Sequence, residues 1–191
     1  MRLFVALDID EAIQQRLADY VRALQPKLPG VRFVGRNTYH ITLKFLGEVQ
    51  NERAVREQLR KVRAAAFDLT VSKVGFFPSA RAPRVFWAGI QAPSALAELA
   101  HGIGMTLETL GFPQEREFSP HLTLARNGSG RPRSQSQERS PAAFAQLARI
   151  VASSPEPEFG TMTAQEFFLY ESKLSSSGPS YYKLEGYKLA N

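Results

Sequence analysis

Residues 39–49, YHITLKFLGEV, and residues 120–126, PHLTLAR, share one short pattern: a histidine, an apolar residue, a threonine and a leucine. The chain contains three histidines, and two of them, His40 and His121, begin these two patterns. Successive side chains of a β-strand point to opposite faces of the sheet, so each histidine shares a face with its threonine. The apolar residues share the other face. The repeat therefore predicts two equivalent strands, each with one polar face and one buried face.

The elements predicted around the two patterns repeat in the same order. The first half indicates a strand, a helix that begins after Asp10, extended segments, a second helix capped by Asn51, and a strand. The second half follows the polar loop PSARAPR and has a similar order. It ends with a predicted strand at 162–174 and a further strand, joined by the turn SSSGPS as in a hairpin.

This order favours an α+β fold. We expect residues 1–191 to form a single bilobal domain, with approximate lobes at 1–80 and 81–191 and with termini that can cross between them. Each lobe is expected to be a mostly antiparallel sheet backed by helices, with a central cleft between the two pseudo-symmetric sheets. A parallel doubly wound fold fits less well, because hairpin-like pairs interrupt the alternation of strands and helices.

The composition indicates a soluble protein with a basic surplus. The 24 lysines and arginines outnumber the 18 aspartates and glutamates, giving a net charge of +6, which favours anionic partners such as nucleic acid, nucleotides or acidic lipid. The absence of cysteine excludes disulfides, thiolate metal sites and cysteine nucleophiles. No apolar stretch approaches the roughly 20 residues that span a bilayer, and the opening MRLFVALDI lacks the features of a signal peptide. We expect a cytoplasmic protein that needs no membrane.

Two imidazoles and two hydroxyls that face one cleft suit the cleavage of a phosphate ester. A neutral imidazole can take a proton from water while an imidazolium opposite protonates the departing oxygen. Hydroxyls can donate to the non-bridging phosphoryl oxygens, where negative charge accumulates. We therefore expect His40, His121, Thr42 and Thr123 to be catalytic.

Zinc binding is the competing interpretation of paired histidines. It requires a third histidine or carboxylate close by, commonly at helical spacing as in H-E-x-x-H. Neither pattern has such a neighbour, so we expect no metal ion and no cofactor. The third histidine, His101, lies off the apolar face of its predicted helix, and we expect it to be exposed.

The stretches RLFVALDI, YHITLKFLGEV, SPHLTLAR and FFLYESKL resemble the two-histidine phosphoesterase superfamily. Within it, they are most similar to the bacterial and archaeal RNA 2',3'-cyclic phosphodiesterases, also called 2'-5' RNA ligase-like proteins. The resemblance covers essentially the whole chain and implies hydrolysis of a terminal 2',3'-cyclic phosphate to a 2'-phosphomonoester. It also implies that His40 donates a proton to the 3'-oxygen and that His121 accepts one from water. Some relatives join RNA ends through a 2'-5' linkage without ATP.

Three further residues are candidates for substrate binding. Lys44 is expected on the face of Thr42, where it either neutralises phosphate or is a solvated lysine. Arg126 resembles a common family arginine, but strict alternation places it opposite Thr123 unless the strand bulges or ends there. Phe33 lies where relatives often have tryptophan, and its ring either stacks on a base or belongs to the core. Arginines in predicted loops form either an RNA-backbone track or ordinary surface charge: Arg32, Arg36, Arg81, Arg84, Arg131 and Arg133.

Three functions remain open at the level of the sequence. The first is an enzyme that acts on RNA or a nucleotide with a 2',3'-cyclic phosphate, expected to be a monomer without an obligatory protein partner. The second is a phosphodiesterase for another substrate of the superfamily, such as a cyclic ADP-ribose phosphate or a 2'-5' oligonucleotide. The third is a non-catalytic RNA-binding module. Two complete motifs count against the third, because binding alone requires no mirrored acid and base.

Overall fold

The computed structural model describes residues 1–114, 117–127, 141–175 and 178–190. The β-strands of this part of the chain are β1 (Arg2–Asp8), β2 (His40–Glu48), β3 (Phe67–Phe77), β4 (Val85–Gln91), β5 (His121–Arg126), β6 (Glu158–Ala164), β7 (Glu166–Ser175) and β8 (Gly178–Lys188). The α-helices are α1 (Glu11–Leu24), α2 (Glu52–Leu59), α3 (Ser94–Glu108) and α4 (Pro141–Ala152).

The described strands form two four-stranded antiparallel sheets. The first has the order β2-β1-β7-β8 and the second has the order β5-β4-β3-β6. Both strands that begin with a motif histidine, β2 and β5, therefore lie at the end of their sheet's strand order, next to β1 and β4 respectively. This arrangement confirms the predicted α+β fold of two related antiparallel sheets backed by helices.

The two sheets do not divide the chain at residue 80. Strand β3 pairs with β4 in the second sheet, although it precedes that boundary. Strands β7 and β8 return to the first sheet, where β7 pairs with β1. Each sheet therefore combines segments from both sides of residue 80, because hydrogen bonding between strands distant in sequence decides which sheet each joins.

Amphipathic helices cover one face of the sheets. Helix α1 buries residues at the predicted spacing of four, four and three: Ile13, Leu17, Val21 and Leu24. Helix α2 begins as predicted, because the side chain of Asn51 accepts a hydrogen bond from the backbone N–H of Ala54 at 3.1 Å. Among the described helices, none combines the length and the apolar character that a membrane span requires.

The strand predicted at 162–174 is two strands in different sheets. Strand β6 ends at Ala164 and pairs with β3, whereas β7 begins at Glu166 and pairs with β1 and β8. The carbonyl of Gln165, between them, accepts a hydrogen bond from the backbone N–H of Leu189 at 2.8 Å. The chain crosses between sheets at this residue without the glycine or proline that normally marks such a break. The hairpin of β7 and β8 was predicted and is confirmed.

Candidate active site

The two motifs occupy the first residues of β2 and β5. Ile41 and Leu43 are buried on the core face of β2, and Leu122 and Leu124 are buried on the core face of β5. The motif histidines and threonines lie half-buried on the opposite face of each strand. The alternation predicted from sequence is therefore present in both strands up to the leucine.

Both imidazoles are held by the backbone two residues before them. Nδ1 of His121 lies 2.7 Å from the carbonyl oxygen of Ser119, and the ring of His40 makes the equivalent hydrogen bond to the backbone of Thr38. When Nδ1 carries the proton and donates to that carbonyl, Nε2 is left to exchange a proton with a substrate. The repeated sequence thus builds the same proton-transfer group twice.

A β-bulge follows the threonine in each motif strand. In β2, Thr42 pairs with Ala6 and Lys44 pairs with Val5, so Leu43 has no partner in the ladder. In β5, Thr123 pairs with Trp87 and Ala125 pairs with Phe86, so Leu124 is the unpaired residue. A bulge inserts one residue and reverses the alternation of faces beyond it. The two bulges decide where the candidate substrate-binding residues point.

The predicted position of Lys44 on the face of Thr42 is wrong. The bulge turns the Lys44 side chain to the core face, where it is 4% exposed. Its Nζ donates a hydrogen bond to the carbonyl oxygen of Pro113 at 2.7 Å. A buried ammonium group with a backbone partner has a structural role, so we leave Lys44 out of the proposed phosphate site.

The bulge in β5 reverses the alternation of faces after Thr123, so Arg126 lies on the same face as Thr123. Its Nη2 donates a hydrogen bond to Oγ1 of Thr123 at 3.2 Å, and the residue is exposed. Arg126 is also close enough to lower the pKa of both His40 and His121. The guanidinium therefore lies beside the hydroxyl of Thr123 and near both rings.

Phe45 is a candidate that the sequence analysis missed. It follows His40 by five residues, as Arg126 follows His121, and the bulge in β2 turns it to the polar face. Its side chain is 63% exposed and lies 6.4 Å from the ring of Phe4, measured between centroids. Equal spacing from the two histidines is the sequence signal that identifies Phe45 as the counterpart of Arg126.

Phe33 lies beside β5. It forms an isolated antiparallel bridge with Ala125, and the backbone N–H of Val34 donates to the carbonyl of Leu124 at 2.8 Å. The half-buried ring of Phe33 packs against the core. This placement favours the interpretation of Phe33 as a core residue over a role in base stacking.

The surroundings of His40 are aromatic and largely closed. Its ring centroid lies 4.8 Å from that of Phe4, 5.1 Å from that of Tyr181 and 6.2 Å from that of Tyr170. Burial lowers the pKa of His40 to about 4, and the carboxylate of Asp8 opposes this effect. His40 therefore needs a nearby negative charge, from the protein or from a substrate, to hold a proton at neutral pH.

His121 has a simpler environment. Its ring is nearly perpendicular to that of Phe77, with 5.0 Å between the two centroids. Burial lowers its pKa, and the Arg126 guanidinium acts in the same direction. Both influences favour the neutral imidazole, which is the form that accepts a proton.

A cavity of about 240 Å³ opens next to His40. The residues that line it are Asp8, Gln14, Asn37, Tyr39, His40, Tyr170, Tyr181 and Lys183. These side chains offer carboxylate, amide, hydroxyl and ammonium groups, which suits a polar ligand rather than a hydrocarbon one. Within the described ranges, no three histidine or acidic side chains come together in a way that could hold a metal ion.

The described loop arginines do not line the cavity beside His40. Arg36 donates hydrogen bonds to Gln15 at 2.7 Å and to Glu11 at 3.3 Å, which attaches it to helix α1. Arg32, Arg81 and Arg84 are exposed. Arg131 and Arg133 lie outside the described residues.

Comparisons with known proteins agree with this geometry. The family model described as LigT like Phosphoesterase matches residues 7–87 and residues 90–181, so that each match contains one motif. An RNA 2',3'-cyclic phosphodiesterase of Archaeoglobus fulgidus is 34% identical over 183 residues, which cover 95% of this chain and 96% of that protein. Another, from Methanothermobacter thermautotrophicus, is 30% identical over 195 residues and 99% of each chain.

A solved structure extends the similarity to three dimensions. The crystal structure of Escherichia coli LigT complexed with 3'-AMP matches with a TM-score of 0.77 at 28% identity, covering 100% of this chain and 98% of that one. The nucleotide in that structure is a ligand of the E. coli protein. With a family match over each motif and relatives that align along nearly the whole chain, this protein belongs to the LigT like phosphoesterase family.

Proposed function

We propose that this protein hydrolyses 2',3'-cyclic phosphate ends of RNA to 2'-phosphomonoesters. One observation carries the proposal: two imidazoles with the same backbone support, each on the same strand face as a threonine, lie near one arginine. The names of the relatives support the substrate, since several of them are RNA 2',3'-cyclic phosphodiesterases.

The reaction requires a base and an acid on opposite sides of the phosphorus. In our proposal, His121 takes a proton from water, and the oxygen of that water forms a bond to phosphorus. The bond from phosphorus to the 3'-oxygen breaks, and His40 gives its proton to that oxygen, so the phosphate stays on the 2'-oxygen. General acid–base catalysis of this kind contributes roughly 10²- to 10⁴-fold to the rate.

The remaining groups of the site stabilise the charge on the phosphate. Thr42 and Thr123 have hydroxyls that can donate to the non-bridging oxygens, and Arg126 adds a positive charge beside them. In the proposed reaction this charge develops as water attacks, so these contacts are stronger in the transition state than in the bound substrate. The proposed enzyme uses no metal ion for this purpose, and we expect its activity to persist in EDTA.

Aromatic side chains offer a surface for the terminal base. Phe45 is exposed on the polar face of β2, and Tyr181 lies on the other side of Phe4, 5.0 Å from it between centroids. A base stacked on such rings gains roughly 1–3 kcal/mol with little dependence on its identity. We therefore propose that Phe45 binds the base and that the enzyme accepts RNA ends of any sequence. We also propose that the protein is cytoplasmic and acts as a monomer without an obligatory partner.

The test is product analysis after incubation with an RNA oligonucleotide that ends in a 2',3'-cyclic phosphate. We expect a 2'-phosphate product from the wild type and its loss in His40→Ala and in His121→Ala. His101→Ala is the matched control, because His101 is an exposed histidine on α3, and it should retain full activity. Full activity in either motif variant would remove the two-histidine mechanism.

The same assay separates the rival functions. Faster turnover of a 2'-5' oligonucleotide or a cyclic ADP-ribose phosphate would assign the site to another substrate. Salt-dependent RNA binding without turnover of any of these compounds would indicate a binding module. Joining of a 5'-hydroxyl RNA to the cyclic end, in place of water, would add ligation to the same chemistry.

A further inference from the structure

We propose that Asp8 is the positioning residue that supports the protonated form of His40, the acid of the proposed pair. Its carboxylate is fixed across the strand ladder from His40, where its negative charge favours the imidazolium form of that ring. This inference rests on the proposed function for its meaning, because an acid is needed only if the site transfers protons.

Asp8 lies in register with His40. The two residues are direct partners in the antiparallel pairing of β1 with β2. Partners of this kind have Cβ atoms about 4.5–5.5 Å apart and side chains on the same face of the sheet. The carboxylate and the imidazole therefore share the wall of one cavity, and both line it.

The carboxylate is held by two groups from the far end of the chain. The hydroxyl of Tyr170, on β7, donates to Oδ1, and the ammonium of Lys183, on β8, binds Oδ2. Lys183 also lies over the ring of Phe168, 4.0 Å from its centroid. Burial and the neighbouring Asp8 raise the pKa of Tyr170, so the tyrosine remains a neutral donor. Asp8 is thus a fixed charge, and Lys183 offsets part of it.

Charged and titratable groups face His40 from every element around it. Asp8 comes from β1, Tyr170 from β7, and Tyr181 and Lys183 from β8. His121 and Arg126 come from β5, Tyr39 precedes the ring, and Arg2 acts on Tyr181 from β1. Among the described side chains that act on His40, Asp8 is the one that favours its charged form, whereas Arg126 and His121 oppose it.

The second motif has no such carboxylate at the equivalent position. The direct partner of His121 in the pairing of β4 with β5 is Gly89, which has no side chain. Burial and the Arg126 cation lower the pKa of His121, and the hydrogen bond to Ser119 raises it. No acidic side chain of the described residues contributes to this pKa. The two rings have the same support, but a carboxylate faces one and a glycine faces the other.

A titration of the two rings tests the proposal directly. The pKa of each histidine is measured by NMR in the full-length protein, both free and saturated with adenosine 2'-monophosphate. In Asp8→Asn, which keeps the size of the side chain and removes its charge, we expect a lower pKa for His40 and no change for His121. In Lys183→Met, which leaves the carboxylate without its counter-charge, we expect a higher pKa for His40. This variant keeps the test open if Asp8→Asn does not fold.

Glu166→Gln is the matched control. Glu166 forms an ion pair with Lys188 at 2.8 Å, between the same two strands, β7 and β8, that hold Asp8. Its carboxylate is not among the groups that act on His40. We expect the pKa of His40 and the rate of hydrolysis to stay at their wild-type values in this variant.

Kinetics provide the second readout. With Asp8→Asn, the alkaline limb of the kcat profile should move to lower pH, because His40 loses its proton earlier. At neutral pH, kcat should fall about tenfold for each pH unit that the limb moves. A structural role alone would lower kcat equally at every pH and leave the limb in place.

The outcomes separate this inference from the proposed function. An unchanged pKa of His40 in both Asp8→Asn and Lys183→Met would overturn the role of Asp8, even if the wild type hydrolyses cyclic phosphates. If the titrations shift as expected but no substrate is turned over, the proposed function fails and the electrostatic effect of Asp8 stands. A shift in both variants with a displaced limb supports the inference in full.

Discussion

Strands β2 and β5 have the same local design and different chemical surroundings. Each begins with a histidine held by the backbone two residues earlier, continues with a buried residue and a threonine, and then bulges. Five residues after the histidine, however, β2 presents Phe45 and β5 presents Arg126. The repeated motif therefore fixes the geometry, while residues outside the repeat give one strand an aromatic contact and the other a charge.

The largest effects are expected from substitution of the histidine that begins each of the two strands. His40→Ala and His121→Ala should each lower kcat by roughly 10²- to 10⁴-fold. The double variant should lose little more than the worse single variant, since an acid without its base already fails as a unit. Single-turnover rates of the three variants measure this. Losses that multiply in the double variant would show that the histidines act independently.

The next effect distinguishes the two residues that follow the bulges. Arg126→Ala should lower kcat by roughly 10²-fold, because a preorganised donor to the transition-state charge is lost. Phe45→Ala should raise KM with kcat nearly unchanged, since stacking on the base, worth roughly 1–3 kcal/mol, binds substrate and transition state alike. Steady-state kinetics on one cyclic-phosphate oligonucleotide measure both. The reverse pattern would contradict the assigned roles.

The pH dependence follows from the two lowered pKa values. In the proposed reaction His40 is protonated and His121 is neutral, so kcat/KM should fall on the alkaline side as His40 loses its proton and on the acid side as His121 gains one. Burial lowers the pKa of both rings in the free enzyme, that of His40 to about 4. The bell for kcat/KM should therefore centre below about pH 6.5, the ordinary pKa of histidine.

The kcat profile should lie at higher pH than the kcat/KM profile. A bound phosphodiester brings a negative charge next to both rings and raises both pKa values. The apparent pKa values belong to the pair, so the displacement of the whole bell is the quantity to measure. A kcat profile that coincides with the kcat/KM profile would contradict this electrostatic coupling.

The smallest effect is expected at Lys44. Lys44→Met replaces a buried ammonium with an apolar side chain of similar length, and Lys44 is on the core face of β2. We expect kcat and KM to change by less than about twofold, with a change in unfolding free energy of about 1–3 kcal/mol from the lost hydrogen bond. Urea unfolding and steady-state kinetics measure the two effects. A large loss of kcat with unchanged stability would contradict this expectation and indicate that Lys44 acts in catalysis.

Much of this site was predictable because alternation along a strand is a local property. The partition of His40 and Thr42 from Ile41 and Leu43 followed from a period of two, and the structure has it. The cap of α2 by Asn51 was equally local. In each case, neighbouring residues contain all the information that the geometry needs.

The features that the sequence did not predict depend on pairing between distant segments. No glycine marks the bulges at Leu43 and Leu124 in the sequence. These bulges reverse the faces on which Lys44, Phe45 and Arg126 lie. The partnership of Asp8 with His40 depends on the register of β1 against β2, which neither strand encodes by itself. The division of 162–174 between two sheets was missed for the same reason.

The interleaving of chain ends in the first sheet has a consequence for biosynthesis. Asp8 is made early, yet the tyrosine that fixes it is 162 positions further along the chain. A nascent chain cannot order the wall around His40 until β7 and β8 have emerged. A fragment that ends before β7 and β8 therefore lacks the finished surroundings of His40, and the proposed hydrolysis requires both strands.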